Sequence, residues 1–374
     1  MLDFMSLLQI MCDKDGSDLF VTVGLPVSAK INGQLQPIDD GKLDFDAALA
    51  MVHGAMNEKQ QREFDTTKEC NFAISNEVGR FRVSAFWQRD CPGMVIRRIV
   101  TEIPSVDKLN LPQVLVDLIM SKRGLVLFVG GTGTGKSTSM AALLGHRNHN
   151  SRGHILTIED PVEFVHEHGQ CIVTQREVGI DTETFDAALK SSLRQAPDVI
   201  LIGEIRSQEI MEHALAFAET GHLCVATLHA NNANQGIDRI MNLVPKELHQ
   251  KLRFDLALNL RGIVAQQLVP TVDGKGRVAA IEILLNSPMV GDLIKKGEMG
   301  SIKEIMAKSR EMGMQTFDQA LYDHYKAGRI TYDDALHHAD SPNDLRLMIK
   351  LDSSEDSTST GALAGVTLDG LEGD

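Results

Sequence analysis

The chain has 374 residues, of which 43% are hydrophobic, enough for two or three domains with substantial cores. Its formal net charge of −14 argues against the broad basic surface of a sequence-independent nucleic-acid binder. No apolar run approaches the roughly 20 residues of a membrane helix, Met1-Leu2-Asp3-Phe4 lacks the basic start of a signal peptide, and five scattered cysteines without a Cys-x-x-Cys pair fit reduced thiols, so the sequence predicts a soluble cytoplasmic protein.

Residues 1 to 100 read as a small α+β domain. Residues 2–8 space apolar side chains for a short amphipathic helix, and residues 18–24 alternate as a strand. Asn32-Gly33 between short strands is a strong hairpin signal. Asp44 can cap a helix running to Met56, and Asn57 a second over residues 58–64. Strands are expected at 70–75, 81–87 and 94–100, and nothing in this region has the pattern of a catalytic triad or a metal site. Residues 101–110, with Pro104, read as a linker; Pro112 then suits the first turn of a helix that stops at Gly124.

An apolar strand follows, Leu125-Val126-Leu127-Phe128-Val129, and runs into Gly130-Gly131-Thr132-Gly133-Thr134-Gly135-Lys136-Ser137-Thr138 before a helical pattern. This is the Walker A loop in its strand-loop-helix setting. Glycines let successive backbone N–H groups converge on phosphate, and the helix N-terminus adds partial positive charge. Lys136 would reach the β- and γ-phosphates and Ser137 would hold Mg²⁺. A nucleoside triphosphate, ATP or GTP, is the expected ligand.

From there strands and helices alternate at 154–158, 171–175, 185–193, 199–203, 207–219 and 223–228, which predicts a parallel sheet covered by helices. Residues 245–351 read as mostly helical, broken by one hairpin at Asp273-Gly274-Lys275-Gly276. The tail, 352–374, holds six acids and no base among serines, threonines and glycines, and is expected to be disordered.

Three further clusters carry chemistry. Glu159, Asp160 and Glu163 lie just past a buried-strand pattern, where parallel strands form ligand crevices. Glu163 is the chosen base for an attacking water, although Asp160-Pro161 would also serve as a capped helix start. The apolar strand ending Gly203-Glu204 has the Walker B pattern, with Glu204 placed to support Mg²⁺. His229 ends another strand, where it could contact the γ-phosphate or be an ordinary structural histidine, and His222 is a weaker companion. The groups His166/His168/Cys171 and His146/His149/His154 contain metal-ligand types without the spacing of a zinc site.

Walker A, the box Thr157-Ile158-Glu159-Asp160-Pro161-Val162-Glu163, the Walker B end Gly203-Glu204-Ile205-Arg206 and the box Thr227-Leu228-His229-Ala230-Asn231 occur in the order found in the type II/IV secretion superfamily ATPases, which the chain resembles over about residues 1–350. Residues 18–24 and 79–86 also resemble the PAS-like domain of pilus retraction motors. Within the superfamily the chain is most similar to the PilT/PilU twitching-motility branch, since it lacks a tetracysteine zinc motif and a longer N-terminal region. Where PilT proteins carry Ala-Ile-Arg-Asn-Leu-Ile-Arg-Glu, this chain reads Met289-Val290-Gly291-Asp292-Leu293-Ile294-Lys295-Lys296; with the acidic tail, that departure favours the PilU side.

The resemblance implies an α/β fold: a RecA-like P-loop ATPase core with an N-terminal PAS-like α+β domain and a helical C-terminal region. The expected division is 1–100, linker 101–110, ATPase domain 111–351 and tail 352–374. It implies a cytoplasmic homohexamer at the inner membrane that couples ATP and Mg²⁺ to pilus retraction, acting alongside a PilT-type ATPase and against a PilC-like platform protein. By residue, Glu163 would be the base, Glu204 would support Mg²⁺ or water, and His229 would sense the γ-phosphate. Arg82 and Arg97 are candidates for completing the site, with ordinary surface charge as their alternative. The competing functions are PilT itself, an ATP-binding ring component with little hydrolysis, and a RecA-type nucleic-acid translocase, against which the acidic balance argues.

Overall fold

The computed structural model describes residues 3–99 and 102–359, the backbone alone over 353–359. The chain divides into two units: Met1–Pro104 with Asp160–Glu167 and Gln175–Thr184, and Ser105–Glu159 with His168–Thr174 and Phe185–Asp374.

The first unit begins with α1 (Phe4–Asp13), whose first turn is capped by the Asp3 carboxylate accepting from Ser6 N–H. Strands β1 (Asp18–Thr22), β2 (Pro26–Ile31) and β3 (Gln34–Lys42) follow, then α2 (Phe45–Gly54), α3 (Glu58–Thr67), β4 (Glu69–Asn76), β5 (Gly79–Gln88) and β6 (Cys91–Ile99). The expected hairpin at Asn32-Gly33 forms: Ile31 pairs with Gln34, and both turn residues have positive φ, +50° and +80°. Asp44 caps α2 through Ala47 N–H, and Asn57 with Gln60 forms a capping box on α3. The six strands make an antiparallel sheet in the order β3-β2-β1-β6-β5-β4. Alternation along β5 buries Phe81, Val83 and Ala85 in one core with Leu7, Leu8 and Met11 of α1, Val52 of α2 and Phe64 of α3.

The second unit contains α4 (Gln113–Ile119), β7 (Gly124–Val129), α5 (Lys136–Asn150), β8 (Gly153–Glu159), the first part of β9 (Cys171–Glu177), whose residues from Gln175 on are counted with the first unit, α6 (Phe185–Ser192), β10 (Val199–Ile202), α7 (Gln208–Glu219) and β11 (Leu223–Leu228). It continues through α8 (Ala233–Met241), α9 (His249–Asn259), β12 (Leu260–Pro270), β13 (Arg277–Leu285), α10 (Pro288–Lys296), α11 (Ile302–Lys308), α12 (Phe317–Lys326), α13 (Tyr332–His338) and α14 (Pro342–Ser359). Its sheet runs β13-β12-β7-β11-β10-β8-β9. Strands β7, β10 and β11 are buried at every residue, as central parallel strands are, and β12–β13 is the expected antiparallel hairpin. Pairing of Val129 with Leu228, and of Ile202 with Ala226 and Ile158, brings the C-terminal ends of β7, β11, β10 and β8 to one edge of the sheet.

Three features depart from the expected elements. Residues 105–110 belong to the second unit, with Val106 buried in its core. Asp160-Pro161 starts no helix; it is a cis peptide in the irregular segment after β8. The tail expected to be disordered from 352 is helical to Ser359, since α14 buries Leu345 and Lys326 Nζ holds Asp352 Oδ1 at 2.7 Å; residues 360–374 lie outside the described residues. Among the described residues no helix is long and apolar enough to cross a membrane.

Candidate nucleotide site

The loop after β7 is shaped by its glycines. Gly130 has φ +154°, and a Cβ there would meet Thr134 Oγ1 at 2.7 Å and Gln266 O at 2.8 Å. At Gly135, φ +86°, a Cβ would lie 2.8 Å from Gln266 Nε2. Only glycine fits both positions, and the loop closes into a backbone cradle. Gly131, Thr132, Gly133 and Thr134 form its turn, tied by Thr134 Oγ1 donating to Gly131 O at 3.0 Å. Helix α5 starts directly from Gly135, which supplies no side-chain cap, so its first-turn amides at Lys136, Ser137 and Thr138 offer the positive end of a 15-residue helix.

Lys136 is buried and folds back over the loop, donating to Gly130 O at 2.8 Å and Gly131 O at 2.7 Å. Burial pulls its pKa below the ordinary lysine value, and the negative charge of Glu204 opposes that shift. A small ammonium with rotatable donors, set in a ring of glycine backbone at a helix N-terminus, fits an anionic phosphate chain. The cradle rests on a residue the sequence reading did not single out. Gln266, buried on β12 beside β7, donates from Nε2 to Thr134 O at 2.9 Å and accepts from Ser139 Oγ at 2.9 Å. The signal was an amide pair, Gln266-Gln267, interrupting an otherwise apolar strand.

At the same sheet edge, Glu204 follows β10 and His229 follows β11. Glu204 is mostly buried, its side chain 19% exposed, and lies between two basic side chains: Arg206 Nε at 2.7 Å from Oε2 and His229 Nε2 at 3.3 Å from Oε1. The two strand ends are latched together by Thr227 Oγ1 donating to Gly203 O at 2.5 Å and Ile205 N–H donating to Thr227 O at 2.9 Å. The second unit therefore gathers Lys136, Ser137, Thr138, Glu204 and His229 by itself. His222 precedes β11, at the opposite end of that strand from His229, and its Nδ1 lies 3.0 Å from Thr220 Oγ1 and 3.2 Å from Phe217 O.

Glu163 belongs to the first unit. Its side chain is exposed, while the preceding Val162 is buried and donates its N–H to Glu177 Oε2 at 3.1 Å. Of the two arginines considered, Arg97 pairs with Asp18 at 2.8 Å across β1 and β6. Arg82 lines a cavity of ≈ 250 Å³ with Phe72, Asp160, Pro161, Glu177 and Ile180, all within the first unit, and its buried Nη2 has no hydrogen-bond partner among the described residues. The histidine groups weighed as metal ligands have other partners: His154 Nδ1 lies 2.9 Å from Gln195 O, His149 Nδ1 2.7 Å from Gly145 O, and His168 Nδ1 accepts from Val173 N–H.

Comparison with known proteins resolves the class. Residues 5–328 match the family described as Type II/IV secretion system protein. The chain belongs to the type II/IV secretion ATPase family, in its PilT/PilU branch. It is 59% identical over 370 residues to the type IV pilus ATPase PilU of Pseudomonas aeruginosa, covering 98% of this chain and 97% of that one. Against the type IV pilus retraction ATPase PilT of the same organism identity is 38% over 342 residues, 91% and 99% of the two chains. The crystal structure of the pilus retraction motor PilT with bound ADP superposes with a TM-score of 0.87 at 36% identity, covering 92% of this chain and 99% of that one. The RecA-like core and an ATP hydrolase activity follow from this membership.

Proposed function

We propose that this chain is a motor subunit that spends ATP, with Mg²⁺, on retracting type IV pili. In this reading it works as a cytoplasmic homohexamer at the inner membrane, beside a PilT-type ATPase and against a PilC-like platform protein. The observation that carries it is the placement of Glu204, held between Arg206 and His229 at the strand edge that also carries the phosphate loop.

The residues divide the work as follows. Lys136 exchanges its two carbonyl partners, Gly130 O and Gly131 O, for β- and γ-phosphate oxygens, while the amides from Gly131 to Thr138 hold the phosphate chain. Ser137 and Glu204 are the residues that would hold Mg²⁺, whose charge neutralises that developing on the phosphates. Glu163 takes the proton of the attacking water. His229 has two competing anions: the Glu204 carboxylate, which it contacts here, and a γ-phosphate. Its return to Glu204 when the γ-phosphate is lost makes it a sensor of hydrolysis. Arg82, with an unpaired buried N–H₂, is better prepared than Arg97 to receive a further anion.

Mg-ATP turnover by the purified protein, at a concentration where rings form, tests the reading against a Lys136→Ala preparation that exposes contaminating activity. Loss in the variant, together with failure of a Glu204→Ala strain to retract pili under load, is the expected result. Retraction by either variant strain at the wild-type level refutes the motor assignment. ATP binding with turnover no greater than that of Lys136→Ala would reduce the chain to an accessory of a PilT-type ring.

A further inference from the structure

We propose that Gln175 and Glu177, alternate residues of β9, are positioning residues that clamp the backbone on both sides of Glu163 so that its free carboxylate meets the attacking water. The proposal rests on the assignment of Glu163 as the base.

Residues two apart on a strand project to the same face. Here that face carries an amide and a carboxylate that both close on the acidic box. Glu177 Oε2 accepts from Val162 N–H at 3.1 Å, immediately before Glu163. Gln175 Nε2 donates to Phe164 O at 2.8 Å, immediately after it, and Gln175 Oε1 accepts from His166 N–H at 2.7 Å. The box has no helix to fix it, so these three bonds do what secondary structure does elsewhere. Glu163 is left exposed between two held peptides, the arrangement a base requires: a fixed origin and an accessible carboxylate.

Glu177 is itself anchored. Its N–H donates to Asp181 Oδ2 at 2.9 Å, and its carbonyl accepts from Asp181 N–H at 2.8 Å, closing the loop at 177–182. Its side chain is only 6% exposed, and Arg80 Nη2 lies 3.7 Å from the oxygen that receives Val162. A carboxylate so buried is costly unless a cation and hydrogen bonds compensate it. An amide would accept the same N–H bond without that cost. What stands against that cost here is the 3.1 Å bond to Val162 N–H, the Asp181 loop and the Arg80 guanidinium, so the buried side chain is committed to its grip on one peptide.

Single-turnover ATP hydrolysis and nucleotide affinity, measured on full-length rings of wild type, Glu177→Ala, Glu177→Gln, Gln175→Ala, Glu163→Gln and the Glu163→Gln/Glu177→Ala pair, test this. Misplacing a reacting group by about 1 Å costs on the order of 10²-fold. Glu177→Ala is expected to slow hydrolysis by roughly 10- to 100-fold with affinity within about twofold. Glu177→Gln, which keeps the acceptor, should retain more rate than Glu177→Ala. In the Glu163→Gln background Glu177→Ala should remove little more, since there is no carboxylate left to position. Equal fold-losses in both backgrounds, a loss that tracks affinity, or a wild-type rate in Glu177→Ala each overturn the proposal. If Glu177→Ala does not assemble, Gln175→Ala, which removes no buried charge, carries the same prediction. A wild-type rate in Glu163→Gln refutes the base assignment and this proposal with it, whereas a slow Glu163→Gln beside normal Glu177 and Gln175 variants refutes the clamp alone.

Discussion

Glu282 ties the histidine box to the C-terminal helices, and its ionisation should be visible in stability. It lies on β13, 2% exposed, and its two oxygens accept from the first amides of two helices: Ala233 N–H of α8 at 2.8 Å and Phe317 N–H of α12 at 3.4 Å. Asp340 and Lys303, paired with each other at 2.7 Å, are the charges that act on it. Burial pushes the Glu282 pKa from the ordinary 4.5 up to about 7, against the two N–H bonds, which pull it down. The folded chain therefore holds this proton more tightly than the unfolded chain. The stabilisation is full below pH 4.5 and declines as pH rises through 7. With those two values, linkage gives a loss of roughly 2–3 kcal/mol between pH 5 and pH 8. Other groups contribute to the pH dependence, Asp318 with the same sign because burial raises it too, so the assay is a difference: urea unfolding of wild type and Glu282→Gln at matched pH and protein concentration. Glutamine can accept from Ala233 but turns an N–H₂ towards Phe317, a penalty of about 1–3 kcal/mol that does not vary with pH. The stability of wild type minus variant should fall by roughly 2–3 kcal/mol from pH 5 to 8. A difference that stays flat, or rises with pH, refutes a protonated Glu282 in the folded chain.

Two further outcomes are expected. Gln266→Ala removes two buried hydrogen bonds under the phosphate loop and strands Thr134 O and Ser139 Oγ, so calorimetry should find ADP affinity lowered at least tenfold, consistent with a cost of about 2–4 kcal/mol shared between loop order and fold; unchanged affinity would mean that the glycine backbone alone keeps the cradle. Cys224 is fully buried on β11 and desolvation pushes its thiol well up, so a thiol reagent at pH 8 should leave it unmodified in the native protein and label it after unfolding, whereas native labelling would mean that the central sheet opens.

Local signals in the sequence carried much of the fold. Asn32-Gly33 named its hairpin because only certain residues accept two successive positive φ angles, and Asn57 named a helix start because its side chain caps a first-turn amide; the reciprocal bond from Gln60 emerged only in the structure. Runs such as Val199-Ile200-Leu201-Ile202 read as buried parallel strands because both faces must be apolar. Composition misled at the C-terminus. Acids and serines made 352–359 look disordered, but one lysine at Lys326 and one buried residue at Leu345 depend on neighbours that no local window contains.

The candidate site divides along the same line. Lys136, Glu204 and His229 were legible because each terminates or follows an apolar strand, and parallel pairing brings such ends to one edge. Gln266, 130 residues beyond Lys136 in sequence, was not, because its purpose exists only once β12 lies beside β7. Gln175 and Glu177 show the same limit more sharply. Read locally they are polar residues ending a short strand, with nothing to separate them from a solvated edge. Only their bonds to Val162, Phe164 and His166 show that this polar face is directed at backbone, and that Glu163 is the one residue between those contacts whose side chain is left free to react. The acidic box is thus legible by its carboxylates, while Gln175 and Glu177 are legible only by the backbone groups they hold.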